Sequence, residues 1–350
     1  MKIFSNKLIS YIKYFFVDLC IKLKFSNKFP DNPKTILIVL LGGIGDSILA
    51  IEPIIEFLRL NKRAEINVLV KKEHAALLKH HLLDLKIITY CENLIDYRIY
   101  DLIILLKSDI EAKLNIIKFS KKSTAIVLNP IFDSINPLNK LKLKLFVLHR
   151  KKFYAKSHMK DIFSQMLKVS ITTKIKIKIK NHVSNSLNVG LHVAGSNPIR
   201  QLLPSILNDV IISCPDYIFH IIGGRSDYFR YKSLLNNSNV INLIGELDLI
   251  DLGQYISNLD LVICPDSMVL HYADSLGIMV ISIMGNAMQE TYGPYHNSKE
   301  FVLTRNPNCS PCSRIICNKF NGFSCIQDIK AFEIIEMLDK FKLLMVSHEN

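Results

Sequence analysis

The 350-residue chain contains no run of 18 or more apolar residues free of charge, so the sequence does not predict a membrane-spanning helix. Lys13 and Asp18 interrupt the apolar start of the chain and no small-residue cleavage site follows, which argues against a signal peptide. Clusters of aromatic side chains suited to stacking on single-stranded bases are also missing, so a nucleic-acid binder ranks last. Without a secretion signal, a reducing cytoplasm is expected and the 8 cysteines are not expected to form disulfides.

Positive charge is in excess. There are 44 Lys and Arg residues against 31 Asp and Glu, a net charge of +13, which attracts phosphates, nucleic acid or anionic lipid. Residues 1–29 predict a basic amphipathic helix, which either lies on an anionic membrane surface or packs against its own protein. Its apolar residues recur at helical spacing and are Ile3, Phe4, Leu8, Ile9, Ile12, Phe15, Phe16, Leu19 and Leu23.

Buried strands alternate with helices along most of the chain. A continuous apolar run, Thr35–Leu41, leads into Gly42–Ser47 and a helix from about Ile48 to Leu60, as a parallel strand buried on both faces requires. The alternation continues and begins again at Leu187, which predicts two doubly wound α/β domains. We place them at residues 30–182 and 183–330, with a final helix within 331–350.

The glycine turn after the first strand matches no common nucleotide motif. Gly43, Ile44, Gly45 and Asp46 begin like a dinucleotide fingerprint, but Ile48 stands where the third glycine is needed. A phosphate loop ending in Lys and Ser or Thr is also absent. What the turn offers is an acid, Asp46, at the carboxyl end of a strand, where open α/β sheets bind ligands.

A second polar turn follows the apolar run Leu259–Ile263. Asp266, Ser267 and His271 lie where a strand is expected to lead into a helix, and a helix N-terminus with free N–H groups is a ready anion site. A plain Asp or Ser cap beside a buried histidine is the alternative interpretation. We expect this turn to face Gly42–Asp46 across a cleft between the two domains.

Two further segments carry chemistry-bearing residues. The spacing of Cys309, Cys312, Cys317 and Cys325 could hold a structural zinc ion as a tetrathiolate, and the alternative is a loop of packed thiols. The Lys-rich segment Asn129–His158 is either a surface for phosphate-bearing partners or a solvated face. The alternating run Lys174–Lys180 predicts a half-exposed strand.

In order and spacing, several motifs between Lys34 and Ile329 together resemble glycosyltransferase family 9, the ADP-heptose:lipopolysaccharide heptosyltransferases. That resemblance implies a GT-B fold of two Rossmann-like domains facing a cleft. The segments that carry it are Ile36–Ser47, Gly190–Ser196, Ile221–Gly224, Leu259–His271, Leu276–Gly277, Gly285, Gly293–Tyr295 and Cys309–Cys312.

The resemblance also implies residue roles. Asp46 would be the general base that deprotonates an acceptor hydroxyl for in-line attack with inversion. The donor nucleotide sugar would be bound by Gly43, Gly45, Ser196, Arg200, Asp266, Ser267, Met268, Val269 and His271. No D-x-D sequence occurs, so a metal-independent transferase that needs no cofactor fits the chain.

The sequence departs from the family pattern at four places along the chain. Leu40 replaces a usual basic residue, and Gln201 stands at the usual lysine with Arg200 beside it. Met268 and Val269 replace a Gly-Pro pair, and Gly285–Met288 replaces the usual G-P-T-D.

The leading expectation is therefore an enzyme of lipopolysaccharide biosynthesis, peripheral at the inner face of the cytoplasmic membrane. It would move heptose from ADP-heptose onto a lipopolysaccharide core or similar lipid-linked saccharide, with no nucleic-acid partner. The alternative is a catalytically degenerate GT-B protein that binds nucleotide or glycan without turnover.

Overall fold

The fold is taken from a computed structural model of the chain, which forms two compact units. The first comprises Met1–His149 and Met159–Thr172, and the second Arg150–His158 and Thr173–Asn350. The predicted boundary at residue 183 falls outside the described residues and stays a prediction. The described residues are 13–14, 16–83, 85–90, 95–128, 157–171, 175, 177, 186–193, 195, 198–285, 287–296, 299–305, 307, 309–310, 317 and 325–348.

The first unit is built on a parallel five-stranded sheet in the order β3-β2-β1-β4-β5. Strand β1 is central, and Ile36–Leu40 are fully buried, as its unbroken apolar sequence predicts. The helices and strands of the first unit are α1 (residues 16–24), β1 (Thr35–Leu40), α2 (Ile44–Leu60), β2 (Glu65–Val70), α3 (Ala75–His81), β3 (Lys86–Thr89), β4 (Leu102–Lys107), α4 (Ile110–Phe119), β5 (Ala125–Leu128) and α5 (Met159–Leu167).

The second unit is built on a parallel six-stranded sheet in the order β11-β10-β9-β6-β7-β8. The chain first adds strands on one side of β6 and then crosses to β9 and continues outward. Its elements are β6 (Asn188–His192), α6 (Pro204–Ser213), β7 (Ile218–Gly223), α7 (Tyr228–Tyr231), β8 (Val240–Ile244), α8 (Leu249–Ser257), β9 (Leu261–Pro265), α9 (Met268–Ser275), β10 (Met279–Met284), α10 (Gln289–Tyr292), β11 (Val302–Thr304) and α11 (Ala331–His348).

The structure differs from the sequence expectations in three elements. Helix α2 begins at Ile44 rather than near Ile48, because the carboxylate of Asp46 accepts a hydrogen bond from the Gly43 N–H and starts the helix early. After the turn Gly223–Asp227 the sequence predicts one helix to about Leu235, whereas the structure has several short turns around α7. The short edge strand β11 was not predicted.

Helix α1 packs on its own protein with one face. Val17 and Ile21 are buried in the core of the first unit together with Phe25, and Asp18 forms a buried ion pair with Lys113 of α4. This face follows the second of the two alternatives for the amphipathic helix, while residues 1–12 and 15 of the predicted helix lie outside the described residues. Among the described residues no helix has the length and apolar character needed to cross a membrane. Most of Asn129–His158 and of Lys174–Lys180 lies outside the described residues.

Candidate functional site

In the first unit the strand order reverses between β1 and β4, and the carboxyl ends of these two neighbours carry the charged residues. Asp46 follows β1, and Lys107 is the last residue of β4. Its Nζ lies 3.3 Å from Asp46 Oδ1, and each side chain is only 15% exposed. Ligands of open α/β sheets bind at such a reversal, so the pair lies where the fold favours a site.

Asp46 occupies the first turn of α2, not the loop before it. Its Oδ2 accepts the Gly43 N–H at 2.9 Å, while its Oδ1 faces Lys107. A Cβ on Gly42 would lie 2.5 Å from Asp46 Oδ2, so only glycine fits at that position without displacing the carboxylate. The turn therefore fixes the direction of the acid, and the Gly43 N–H is used internally to hold it.

A buried histidine completes this edge of the sheet. His74 Nδ1 lies 3.1 Å from the hydroxyl of Ser47, the residue after Asp46. Burial lowers the pKa of His74, with a smaller opposing contribution from nearby carboxylates that include Asp46. His74 is thus kept neutral and holds the first turn of α2 against the segment after β2.

In the second unit the strand order reverses between β6 and β9, and again an acid and a cation meet there. Asp266 follows β9 and is buried, while Arg200 lies at the end of the loop after β6. Arg200 Nη1 is 3.3 Å from Asp266 Oδ2 and donates to the Asp266 carbonyl at 3.4 Å. The two predicted donor-binding residues are therefore neighbours.

The N-terminus of α9 opens beside this pair. Ser267 holds the N-cap position, but its hydroxyl caps no helix N–H, so the plain-cap interpretation does not apply to it. Its Oγ and Arg200 Nε are both buried atoms that have no hydrogen-bond partner among the residues that the structure describes. A hydroxyl, a guanidinium N–H and the helix N-terminus suit an anion that accepts several hydrogen bonds.

The remaining predicted residues of α9 have different environments. Val269 is fully buried and packs in the core, so only its backbone can face a ligand, whereas Met268 is partly buried. His271 is buried, and its ring centroid lies 6.4 Å from that of Tyr292. One turn on, Asp274 accepts the N–H groups of Tyr295 and His296 and so holds the segment after α10.

The loop between β6 and α6 brings Arg200 to Asp266. A Cβ on Gly195 would lie 2.9 Å from the Cβ of Arg200, so glycine permits the close approach that folds the loop back. Gln201 instead turns its amide toward the Gly195 carbonyl, 3.5 Å away. Arg200 and not Gln201 is therefore the cation beside Asp266. Ser196 lies outside the described residues.

The histidine that ends β6 is fully buried behind this loop. His192 Nδ1 donates to the Ile222 carbonyl at 3.1 Å, and burial lowers its pKa to about 4. The imidazole is therefore neutral at pH 7 and supports the strand end from which the Arg200 loop departs.

Residues 223–321 match the family described as glycosyltransferase family 9 (heptosyltransferase). The chain carries a glycosyltransferase family 9 domain. The predicted family and the prediction of a glycosyltransferase are thereby confirmed. No curated protein matches the chain by sequence.

Solved structures of heptosyltransferases and of another glycosyltransferase are similar in fold. The E. coli ADP-heptose lipopolysaccharide heptosyltransferase II is 14% identical with a TM-score of 0.59, and covers 90% of this chain and 100% of its own. The E. coli heptosyltransferase WaaC with ADP is 11% identical with a TM-score of 0.62, covering 87% and 99%. The iron-containing glycosyltransferase TibC from enterotoxigenic E. coli H10407 is 11% identical with a TM-score of 0.56, covering 89% and 77%. The GT-B prediction is confirmed.

The prediction of a structural zinc ion held by four cysteines is not supported. Among the described residues no group of three or more His, Cys, Asp or Glu side chains is placed to hold a metal ion. Cys325 is buried, with its Sγ against Gly285, while Cys309 and Cys317 are partly exposed. Cys312 lies outside the described residues. The alternative of thiols packed in a loop fits Cys325.

Sequence reasoning missed Lys107 and the Ser47–His74 contact. Lys107 closes an otherwise apolar strand, and such a terminal charge is the signal that could have drawn attention to it. Its contact with Asp46 could not be predicted from the sequence, because the two residues are 61 positions apart in the chain. In the parallel pairing of β1 and β4, Lys107 lies opposite Leu40. Leu40 is the position at which the family pattern has a basic residue.

Proposed function

We propose that the protein transfers heptose from ADP-heptose to a lipopolysaccharide core or similar lipid-linked saccharide, with inversion and without a metal ion. The observation that carries the proposal is the anion-ready N-terminus of α9, with Ser267 and Arg200 beside it, inside the family 9 segment. The names of two solved relatives support an adenosine diphosphate donor, since one was solved with ADP and the other is an ADP-heptose transferase.

On the donor side the diphosphate would lie at the start of α9. The backbone N–H groups of Ser267, Met268 and Val269 and the Ser267 hydroxyl would donate to phosphate oxygens. Arg200 would balance their charge, and its contact with Asp266 holds the guanidinium in place. These donors stabilise the negative charge that develops on the departing nucleoside diphosphate.

On the acceptor side Asp46 would accept the proton of the attacking hydroxyl. The hydroxyl oxygen bonds to the anomeric carbon from the face opposite the diphosphate, the carbon–oxygen bond to the diphosphate breaks, and the configuration inverts. The Gly43 N–H fixes one carboxylate oxygen while Lys107 lies near the other. Such a positioned base typically contributes a factor of about 10² to 10⁴.

The acceptor places the reaction at a membrane. A lipid-linked saccharide is available only at a bilayer surface, so the proposal sets the protein at the inner face of the cytoplasmic membrane as a peripheral enzyme. The net charge of +13 favours approach to anionic lipid there.

Donor specificity tests the proposal. The purified protein is heated with equal concentrations of ADP-, GDP-, UDP- and dTDP-sugars, and a ligand that binds only the folded state at 100 times its Kd adds about 2.7 kcal/mol of stability. We expect ADP-heptose to raise the unfolding temperature most, and an Arg200→Gln variant to lose most of that rise. A panel in which no ADP-sugar shifts unfolding would contradict the proposed donor.

Product formation separates turnover from binding alone. With ADP-heptose and a heptose-deficient lipopolysaccharide acceptor, we expect release of ADP and a heptose-containing product with inverted anomeric configuration. Donor binding with no product against any acceptor would instead establish the degenerate GT-B alternative, which the Met268-Val269 pair in place of Gly-Pro motivates.

A further inference from the structure

Helix α1 is apolar on two opposite faces. Positions 17 and 21 point into the core, where Val17 and Ile21 are 8% and 1% exposed. At 100° per residue, positions 16, 19 and 23 lie on the opposite side of the helix. Phe16, Leu19 and Leu23 are 57%, 36% and 79% exposed. We call these three residues the outer stripe.

Lysines flank the outer stripe on both sides. Lys22 and Lys24 project on opposite flanks of α1, Lys13 precedes α1 in the chain, and all three are exposed. Lys24 Nζ also donates to the Ile117 carbonyl, which brings the end of α4 close to α1. That end of α4 adds an exposed phenylalanine and three exposed lysines, namely Phe119, Lys118, Lys121 and Lys122.

The core-facing side of α1 is held firmly. Asp18 Oδ1 is 2.7 Å from Lys113 Nζ, and the two side chains are 5% and 2% exposed. The Lys113 ammonium also lies 5.6 Å from the ring centroid of Tyr14. A buried ion pair of this kind fixes the rotation of the helix, so the outer stripe keeps facing away from the core.

We propose that the outer stripe and its lysines are a docking surface for an anionic lipid bilayer. The helix would lie in the plane of the interface, with Phe16, Leu19 and Leu23 in the acyl boundary and the lysines at the lipid phosphates. The inference rests on the proposed function, because only a lipid-linked acceptor requires the enzyme to bind a membrane. It adds the surface through which the enzyme would reach that acceptor.

Charge favours lipid over a second copy of the chain. A two-fold dimer through the outer stripe would bring the same lysines of both copies together, and like charges across an interface oppose association. Anionic phosphates complement the same lysines. An apolar stripe bordered by lysine is the pattern of helices that lie in a membrane interface.

Vesicle binding tests the surface. Full-length protein is sedimented with vesicles of phosphatidylglycerol and phosphatidylcholine, or of phosphatidylcholine alone. We expect binding to the anionic vesicles that falls as salt is raised, and at least a tenfold lower partition coefficient for the Phe16→Glu/Leu23→Glu variant. The matched control is Leu60→Glu, an exposed leucine of the same unit that is followed by Lys62 and Arg63, and it should bind as the unchanged protein does.

Three results would overturn the inference. These are equal binding to neutral and anionic vesicles, an unchanged partition coefficient for the double variant, and a dimer in sedimentation velocity that the double variant dissociates. Should the double variant unfold, Lys13→Gln/Lys22→Gln replaces it, with the same loss expected for anionic vesicles.

The ADP-heptose thermal shift separates this inference from the proposed function. A variant that no longer binds vesicles, but whose unfolding temperature still rises with ADP-heptose, confirms the docking surface and shows that the donor site is intact. If the unchanged protein does not bind vesicles but is stabilised by ADP-heptose, the docking surface is refuted and the proposed donor is not. If it binds vesicles but is not stabilised by ADP-heptose, the proposed donor is refuted and the docking surface is not.

Discussion

Asp46 and Asp227 have the same local geometry, and Asp46 also lies beside a cation. Asp46 accepts the Gly43 N–H at 2.9 Å, and Asp227 accepts the Gly224 N–H at 2.8 Å, each in the first helical turn after a strand. Lys107 approaches Asp46 from the neighbouring strand. The two residues therefore make the same backbone contact but differ in the charged neighbour shown for Asp46.

The similar backbone contacts of Asp46 and Asp227 allow a matched test of the proposed general base. We expect Asp46→Asn and Asp227→Asn each to change stability only slightly, because the amide oxygen of Asn can still accept the glycine N–H. Only Asp46→Asn should lower kcat, by about 10² or more, because an amide cannot accept the acceptor proton. Urea unfolding and steady-state transfer kinetics measure the two effects. If both variants keep the kcat of the unchanged protein, Asp46 is not the base.

The neutral His192 makes stability depend on pH. Its pKa is about 4 in the folded chain, where burial disfavours the charged imidazole, and about 6.5 in the unfolded chain. Between these values the unfolded state binds a proton that the folded state does not, so stability falls as pH falls below 6.5. We expect His192 to account for a loss of about 2 kcal/mol at pH 5.

A single substitution isolates this contribution from that of His74, His81 and His220, whose pKa values burial also lowers. Urea unfolding of His192→Gln and of the unchanged protein is compared at pH 7 and pH 5. The variant, though less stable at pH 7, should show a drop smaller by about 2 kcal/mol. Equal drops in both proteins would show that His192 is not the group responsible.

At the scale of elements, helix α1 depends on one buried ion pair. Removing Asp18 as Asp18→Ala leaves the Lys113 ammonium buried without its partner, which typically costs about 3–5 kcal/mol. The double variant Asp18→Leu/Lys113→Met replaces both charges with apolar groups and should unfold near the urea midpoint of the unchanged protein. A loss below about 0.5 kcal/mol in the single variant would mean that the pair does not hold α1.

Most elements follow from apolar periodicity, and the exceptions have local causes. The sequence predicts strands at Thr35–Leu41, Lys86–Thr89 and Thr124–Leu128, and the observed bounds of β1, β3 and β5 agree to within a residue. The start of α2 was placed late because Asp46 was interpreted as a loop residue, whereas its carboxylate caps the turn. Strand β11, at an edge, is only three residues long, too short for a periodic signal.

At the scale of the whole molecule, the proposed reaction needs no metal ion to balance the negative charge of the donor diphosphate. Arg200 and the N-terminus of α9 offer that balance within the second unit. We expect transfer to continue at an unchanged rate after dialysis against EDTA, measured as ADP release. A loss that added divalent cation restores would contradict the metal-independent mechanism. The iron-containing relative makes iron the first metal to add back.

The sequence by itself determined the parallel strands, the glycine turns, the polar residues at the strand ends and the family to which their order points. Each of these depends on local sequence, because buried parallel strands need unbroken apolar runs and tight turns need glycine. Only the tertiary structure decided which strand ends are neighbours. Pairing of β1 with β4 and of β6 with β9 depends on how distant segments pack, and it alone brings Lys107 to Asp46 and Arg200 to Asp266.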